Sequence, residues 1–202
     1  MYTQNDDDGN VQMVEEPSPD AIYTYADYLQ WKWEERVELL KGIIMRMSAP
    51  GSKHQMVVGR LYLPIGTFLQ RKSCFVFVAP FDVRLPVQNK KKDNQITTVV
   101  QPDLCVVCDE NKIDERGCCG APDIVIEILS PGNNKKELQY KFELYEEAGV
   151  LEYWIVAPAE ELIIIWYWEK GKYAKSKPFT SGQIITTPVL PGLEINTTDI
   201  FN

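Results

Sequence analysis

The chain has 202 residues, of which 45% are hydrophobic and 25% charged; these are the proportions of an ordinary globular protein, and the length favours one domain over two. No run approaches the ~18 apolar residues of a membrane helix, and no basic-then-apolar leader is evident, so a cytoplasmic protein without membrane association is expected. The net charge of −8 argues against a generic nucleic-acid binder, because neutralising phosphates takes clustered Lys and Arg. Much of that charge is local. Asp6, Asp7, Asp8, Glu15, Glu16 and Asp20 place −6 in residues 1–20 and leave −2 on residues 21–202, where Arg71-Lys72, Lys90-Lys91-Lys92 and Lys135-Lys136 form basic clusters. Nucleic acid is thus permitted by the charge rather than indicated by it.

Residues 1–20 have too little apolar content to fold and are expected to be a disordered acidic tail before a single domain over 21–202. Thr24 is a candidate N-cap for a helix from Tyr25 to Trp33, which Glu34 to Leu40 either extend or follow with a second helical turn. Gly42 breaks that pattern into a strand over 43–48, stopped by Pro50-Gly51. Val57, Val58, Leu61, Phe68 and Leu69 recur at mixed three and four spacing and predict a helix over 53–70, which Pro64 and Gly66 weaken. Strands rich in β-branched and aromatic residues follow at 74–85, 103–108 and 122–129, most simply as an antiparallel meander. A helix over 133–148 has Leu138, Phe142 and Tyr145 on one face and Gly149 as its C-cap. A strand at 152–157 completes a strand, helix, strand unit with a right-handed crossover. A hairpin of 161–168 with 172–176 and a Pro-rich tail containing Pro188 and Pro191-Gly192 finish the chain.

Glu127 lies inside the apolar run Ile124 to Leu129, where an isolated ionised carboxylate costs several kcal/mol or neutralises. Asp103 opens the preceding strand. In an antiparallel pair the start of one strand lies beside the end of the next, so Asp103 should approach Glu127, and two buried acids together ask for a cation. Asp123 shares Glu127's side of the strand but sits about 13 Å away along it, which makes it a strand-start acid. The following helix brings Lys135, Lys136 and Lys141. Lys141 is open to two readings, an exposed pair with Glu137 worth ~0.3 kcal/mol or a cation beside a metal-bound water or phosphate. His54, the single histidine, is either a substrate contact at a helix start or a capping or packed residue. Lys90-Lys91-Lys92, in the loop 86–98, is either a phosphate contact or a solvated turn.

Five cysteines, Cys74, Cys105, Cys108, Cys118 and Cys119, suit reduced thiols. Cys105 and Cys108 with Cys118-Cys119 resemble half a zinc ribbon, but adjacent cysteines are poor tetrahedral spacing and a strand turns the first two to opposite faces. Trp154, Trp166, Tyr167 and Trp168 suggest base-stacking platforms or, on an apolar strand, core or dimer interface.

Taken in order, Glu38-Leu-Leu-Lys-Gly42, Ser48-Ala-Pro, His54-Gln55, Ala79-Pro-Phe-Asp-Val-Arg84, Gln101-Pro-Asp103, Gly120 to Pro131, Lys141 with Tyr145, Ala148-Gly-Val, Glu152 to Val156 and Leu190-Pro-Gly192 resemble the Uma-two family of restriction-endonuclease-like proteins. The resemblance runs from about residue 22 to residue 201. It places the chain in the PD-(D/E)XK nuclease superfamily and implies an α/β (α+β) fold, a central mixed β-sheet flanked by helices, here with an added C-terminal hairpin. It implies Asp103 and Glu127 as metal ligands and Glu38, on an N-terminal helix, as the acid that completes the cluster. The motif lysine is absent from its usual place, two residues after Glu127, where Leu129 stands, and the resemblance transfers that role to Lys141. The family often has Asp at the positions of Glu137 and Ala157. The implied protein is an endonuclease on DNA using Mg²⁺, with Mn²⁺ as substitute, homodimeric and without a small organic cofactor, in which His54, Lys135 and Lys136 contact substrate. Two rival readings remain. The chain is a non-catalytic nucleic-acid or protein-binding module that keeps the fold, or its acids serve stability, with Glu127 paired to Lys141 or Arg84.

Overall fold

The computed structural model describes residues 2–5, 11–14, 18, 21–31, 35–86, 91–130 and 135–202, with backbone alone for 2–5, 11–14, 135 and 136. Inside the acidic lead-in, where disorder is expected, β1 (Tyr2–Asn5) and β2 (Val11–Val14) pair antiparallel with Tyr2 opposite Val14. They are the few β-forming residues of that stretch. Helix α1 (Tyr25–Tyr28) starts where Thr24 predicts, and the Asp27 carboxylate accepts the Thr24 amide and hydroxyl, each at 2.7 Å.

Within the stretch 34–40, expected to be helical, residues 37–40 are instead a strand. β3 (Val37–Leu40) pairs antiparallel with β4 (Ile43–Arg46) across a two-residue Lys41-Gly42 turn, both residues at positive φ as a tight hairpin requires. All four β3 residues are buried, so no alternation marks them as a strand.

Helix α2 (Ser52–Leu69) runs through Pro64 and buries His54, Val57, Val58, Leu61, Ile65 and Leu69. The single strand expected over 74–85 is two, β5 (Phe75–Val78) and β6 (Val83–Arg84), in different sheets on either side of a cis Ala79–Pro80 bond. Then come β7 (Val99–Val100), β8 (Leu104–Val107), β9 (Ile113–Asp114), β10 (Gly117–Cys119), β11 (Ile124–Ile128), α3 (Lys135–Ala148), β12 (Glu152–Ala157), β13 (Leu162–Glu169), β14 (Lys172–Lys175) and β15 (Phe179–Thr180). The Pro-rich tail carries an antiparallel pair, β16 (Ile184–Thr186) with β17 (Glu194–Asn196), and helix α4 (Thr197–Phe201).

The main sheet has the order β14-β13-β12-β11-β8-β5, with β15 also on β13. Strands β5, β8 and β11 form the expected antiparallel meander, and β11 and β12 are parallel with α3 between them. A second mixed sheet runs β4-β3-β7-β6-β10-β9. Two apolar clusters cover the faces of the main sheet. Ile124, Ile126 and Ile128 join Leu61, Ile65 and Trp154 on one side, and Val125 joins Cys105, Tyr145 and Tyr153 on the other. By strand alternation Glu127 falls on the Val125 side, under α3.

Trp154, Trp166 and Tyr167 belong to packing, while Trp168 stays exposed. Trp154 is wholly buried, and Trp166 meets Phe142 edge-on at 4.8 Å. The reduced state expected for every thiol is corrected at one pair. The β5–β8 register sets Phe75 opposite Val107, so Cys74 and Cys108 face each other one step further and form a disulfide. Cys105 and Cys118 are free and buried, and with Cys108 bonded to Cys74 the zinc reading falls. Among the described residues no helix is long and apolar enough to cross a membrane.

Gly117 has φ +122, and a Cβ there would sit 2.2 Å from the Asp82 carbonyl oxygen, whereas at Gly171, φ +91, it would meet open space. Gly117→Ala is expected to lower the unfolding free energy by about 3 kcal/mol and Gly171→Ala by only about 1 kcal/mol. Urea unfolding of the two variants checks the difference.

Candidate active site

Three elements far apart in sequence meet at one ammonium. Helix α3 presents Lys141 and Tyr145 on one face, since residues four apart share it. Lys141 Nζ lies 3.0 Å from Glu38 Oε2, supplied by β3, and 3.0 Å from Glu127 Oε1, supplied by β11. Tyr145 Oη donates to Glu127 Oε1 at 2.8 Å, and the Gln101 amide donates to Glu38 Oε1 at 2.7 Å. Glu38 is 1% exposed, Lys141 5% and Glu127 8%. Burial pushes the Glu127 carboxyl up to about 7, opposed by Lys141 and reinforced by Asp103 and Glu38. Burial pulls Lys141 down, but Glu127 and Glu38 outweigh it and hold the ammonium well above an ordinary lysine. The cluster therefore sets two carboxyl groups on one ammonium, and Asp103 beside it has His54 as its own partner.

Asp103 precedes β8. The β8–β11 register sets Leu104 opposite Ile126, so Asp103 and Glu127 stand opposite each other one step on. Asp103 Oδ2 accepts the Ile128 amide at 2.7 Å and His54 Nε2 at 3.1 Å. His54 is in the first turn of α2 and 8% exposed. The hydrogen bond to Asp103 outweighs burial and raises its pKa. Asp123 is at the other end of the strand, accepting the Cys108 amide at 2.7 Å, the strand-start role expected of it.

A cavity of about 420 Å³ opens on this cluster, lined by Asp103, Glu127, Lys141, His54, Glu137 and Arg36 among others. Lys141 turns to Glu38 and Glu127 rather than pairing with Glu137, and Arg84 binds Asp114 at 2.6 Å, so Arg84 is not the partner of Glu127. Glu38 comes to the cluster from a strand, not the expected helix, and is taken up by Lys141 and the Gln101 amide. Lys135 and Lys136 open α3, with side chains outside the described residues.

Sequence reasoning missed two residues, Arg36 and Gln101. Arg36 Nε and Nη2 both donate to Gln101 Oε1, at 2.9 and 2.6 Å. The available signal was position: Arg36 is two residues before Glu38, and Gln101 two before Asp103.

The acidic pair suits a hard divalent cation. Among the described residues, the hydrogen bonds of Asp103 fall on Oδ2 and those of Glu127 on Oε1, so each acid has a second oxygen as donor. No set of three or more His, Cys, Asp and Glu side chains is grouped for a metal among the described residues. Mg²⁺ is commonly held by one or two carboxylates with waters and substrate phosphate completing the shell, and Asp103 with Glu127 meets that requirement.

The sequence model of the family described as "Uma2: Putative restriction endonuclease" matches residues 25–198. The chain is 24% identical over 143 residues to "Uncharacterized protein slr1290" of Synechocystis sp., a match covering 70% of this chain and 71% of that one. In fold it is similar, at TM-score 0.70 and 18% identity, to a crystal structure from Anabaena variabilis titled "a putative nuclease belonging to DUF820", over 89% of this chain and 97% of the other.

Removing the shared ammonium leaves two buried carboxylates facing each other. Lys141→Met is expected to cost about 3–5 kcal/mol at neutral pH, and adding Glu127→Gln to recover about 1–3 kcal/mol of it. Denaturant unfolding of the single and double variants measures both.

Proposed function

The chain belongs to the Uma2 family, described as "Putative restriction endonuclease", and from that membership we propose that it is a metal-dependent endonuclease hydrolysing DNA phosphodiester bonds at the Asp103 and Glu127 cavity. One observation carries this: two acids set opposite each other across β8 and β11, on one cavity, each with a carboxylate oxygen that takes no hydrogen bond among the described residues. Asp103 and Glu127 are the residues that would hold Mg²⁺, or Mn²⁺ in its place, and when bound the ion supplies positive charge to the scissile phosphate and lowers the pKa of water. Glu38 is assigned to holding Lys141.

The chain's own residues do the rest. Lys141, clamped between two carboxylates, presents a fixed positive charge at the cavity wall, placed to orient the attacking water or neutralise the phosphate. His54 fixes Asp103 through Oδ2 and so orients the other carboxylate oxygen. In the reaction the water oxygen bonds to phosphorus and the bond from phosphorus to one sugar oxygen breaks, leaving a phosphate monoester and a hydroxyl. A homodimer goes with this function, since a twofold pair of sites matches the two strands of a duplex, and a cytoplasmic location goes with a DNA substrate.

A second reading, a non-catalytic binding module that keeps the fold, is favoured by the completeness of the Lys141 cluster, which satisfies two of the three acids without metal. The test is titration of Mg²⁺ and Mn²⁺ by calorimetry, with plasmid cleavage, on wild type and on Asp103→Ala/Glu127→Ala, both confirmed folded. The expected result is metal binding by wild type alone and a fall in cleavage of about 10³-fold or more in the variant. Absence of wild-type binding and cleavage, even with DNA present, overturns the nuclease and leaves the binding module.

A further inference from the structure

We propose that Arg36 binds the substrate's phosphate backbone at this site, taking a non-bridging phosphate oxygen at the mouth of the acidic cavity; the inference rests on the nuclease reading above. Its placement comes from β3. The Met47 amide donates to the Arg36 carbonyl at 2.9 Å, which carries the β3–β4 pairing one residue past β3. Arg36 therefore shares a strand face with Glu38, two residues on. Glu38 reaches inward to Lys141, and Arg36 lines the cavity together with Asp103 and Glu127.

The guanidinium is held, but by a neutral acceptor. Gln101, 7% exposed, takes two N–H groups of Arg36 on one carbonyl oxygen. The Gln101 amide nitrogen is fixed in turn, donating to Asp82 Oδ1 at 2.8 Å and to Tyr28 Oη at 3.1 Å, while Tyr28 donates to the same Asp82 oxygen at 3.2 Å. This buried network sets one edge of the guanidinium and leaves three of its five N–H groups.

Three other arginines of the fold are paired with acids, Arg84 with Asp114, Arg116 with Asp93 and Arg46 with Glu35, while Arg60 donates to the Ile200 carbonyl. Among the described residues no carboxylate lies in ion-pair contact with Arg36. A pre-oriented cation with no ion-pair partner among the described residues, lining a site proposed for phosphodiester chemistry, matches the fork geometry by which guanidinium takes phosphate oxygens. Gln101 is then a positioning residue for both cations. Its side chain sets Arg36, and its backbone amide sets Glu38, which holds Lys141.

The test is equilibrium binding of a short fluorescent DNA duplex to the full chain across a salt series, with Ca²⁺ as the ion, beside Mg²⁺-dependent cleavage and thermal unfolding. Arg36→Met is expected to weaken binding about tenfold or more and to lower the slope of log affinity against log salt by about one. Arg36→Lys is expected to restore the slope without the full affinity. Lys172→Met, the same charge change on the exposed β13–β14 hairpin, is expected to alter neither. If Arg36 only braces the β3–β4 hairpin, both Arg36 variants lower the thermal midpoint while slope and affinity stay at wild-type values, and the inference is overturned. Wild-type affinity and slope in Arg36→Met, alongside cleavage that still requires Asp103, overturn the inference and leave the nuclease standing. A wild type that neither binds nor cleaves DNA overturns both.

Discussion

The Lys141 ammonium, shared by Glu38 and Glu127, is the contact on which the rest of the site depends. Burying three ionised groups is expensive, and the arrangement persists only because each charge is met within hydrogen-bonding distance. Lys141 has two carboxylates, Glu127 adds Tyr145, and Glu38 adds the Gln101 amide. That last bond reaches beyond the cluster. It pins the segment just before Asp103, so the strand face that receives Lys141 and the turn that delivers Asp103 are set by the same carboxylate. Docking of α3, the path of β3 and the entry to β8 are thereby coupled through side chains that make up little of the core.

The main sheet explains why such a cluster can exist here. Strand β11 is antiparallel to β8 and parallel to β12, so the end of β11 adjoins the start of β8. Both its faces are covered by apolar clusters along most of its length. At its end the covering elements change: the first turn of α2 brings His54 to one acid, and α3 brings Lys141 and Tyr145 to the other. A carboxylate in mid-strand would have no such partners. Glu127 is the penultimate residue of β11, far enough in to be buried and near enough to the end to reach the cavity.

What the sequence discloses follows from the range of the interactions. Helices α2 and α3, strands β8, β11 and β12 and the β13–β14 hairpin are legible from local period, composition and turn residues. The opposition of Asp103 and Glu127 is legible too, because antiparallel pairing of neighbouring strands converts sequence order into proximity. Residues 37–40 are misread as helix because Val37, Glu38, Leu39 and Leu40 are all buried, and a strand covered on both faces has no alternation to display. The stretch 74–85 reads as one strand because its composition is uniform, although its halves belong to different sheets. The Cys74–Cys108 bond, the hairpin and helix of the C-terminal tail, and the Arg36–Gln101 pair depend on tertiary neighbours. The last joins residues 65 apart, and no local pattern announces a partner at that distance.

On the proposed reading of Lys141 as the site's cation, its position follows from the end of β11. In the superfamily pattern that the sequence resembles, the cation stands two residues after the acid, on the same strand face. Here that place is Leu129, just beyond the end of β11 at Ile128. The covering face above Glu127 belongs to α3, whose long side chains lie along the helix and reach down onto the sheet. A lysine there comes within 3.0 Å of Glu127 without depending on the strand past its end. The same move adds a constraint that a strand lysine would not carry. The ammonium now spans to β3 as well, so its charge is presented to the cavity only while α3, β3 and β11 are all in place, and the electrostatics of the site become a property of the assembled fold rather than of one strand.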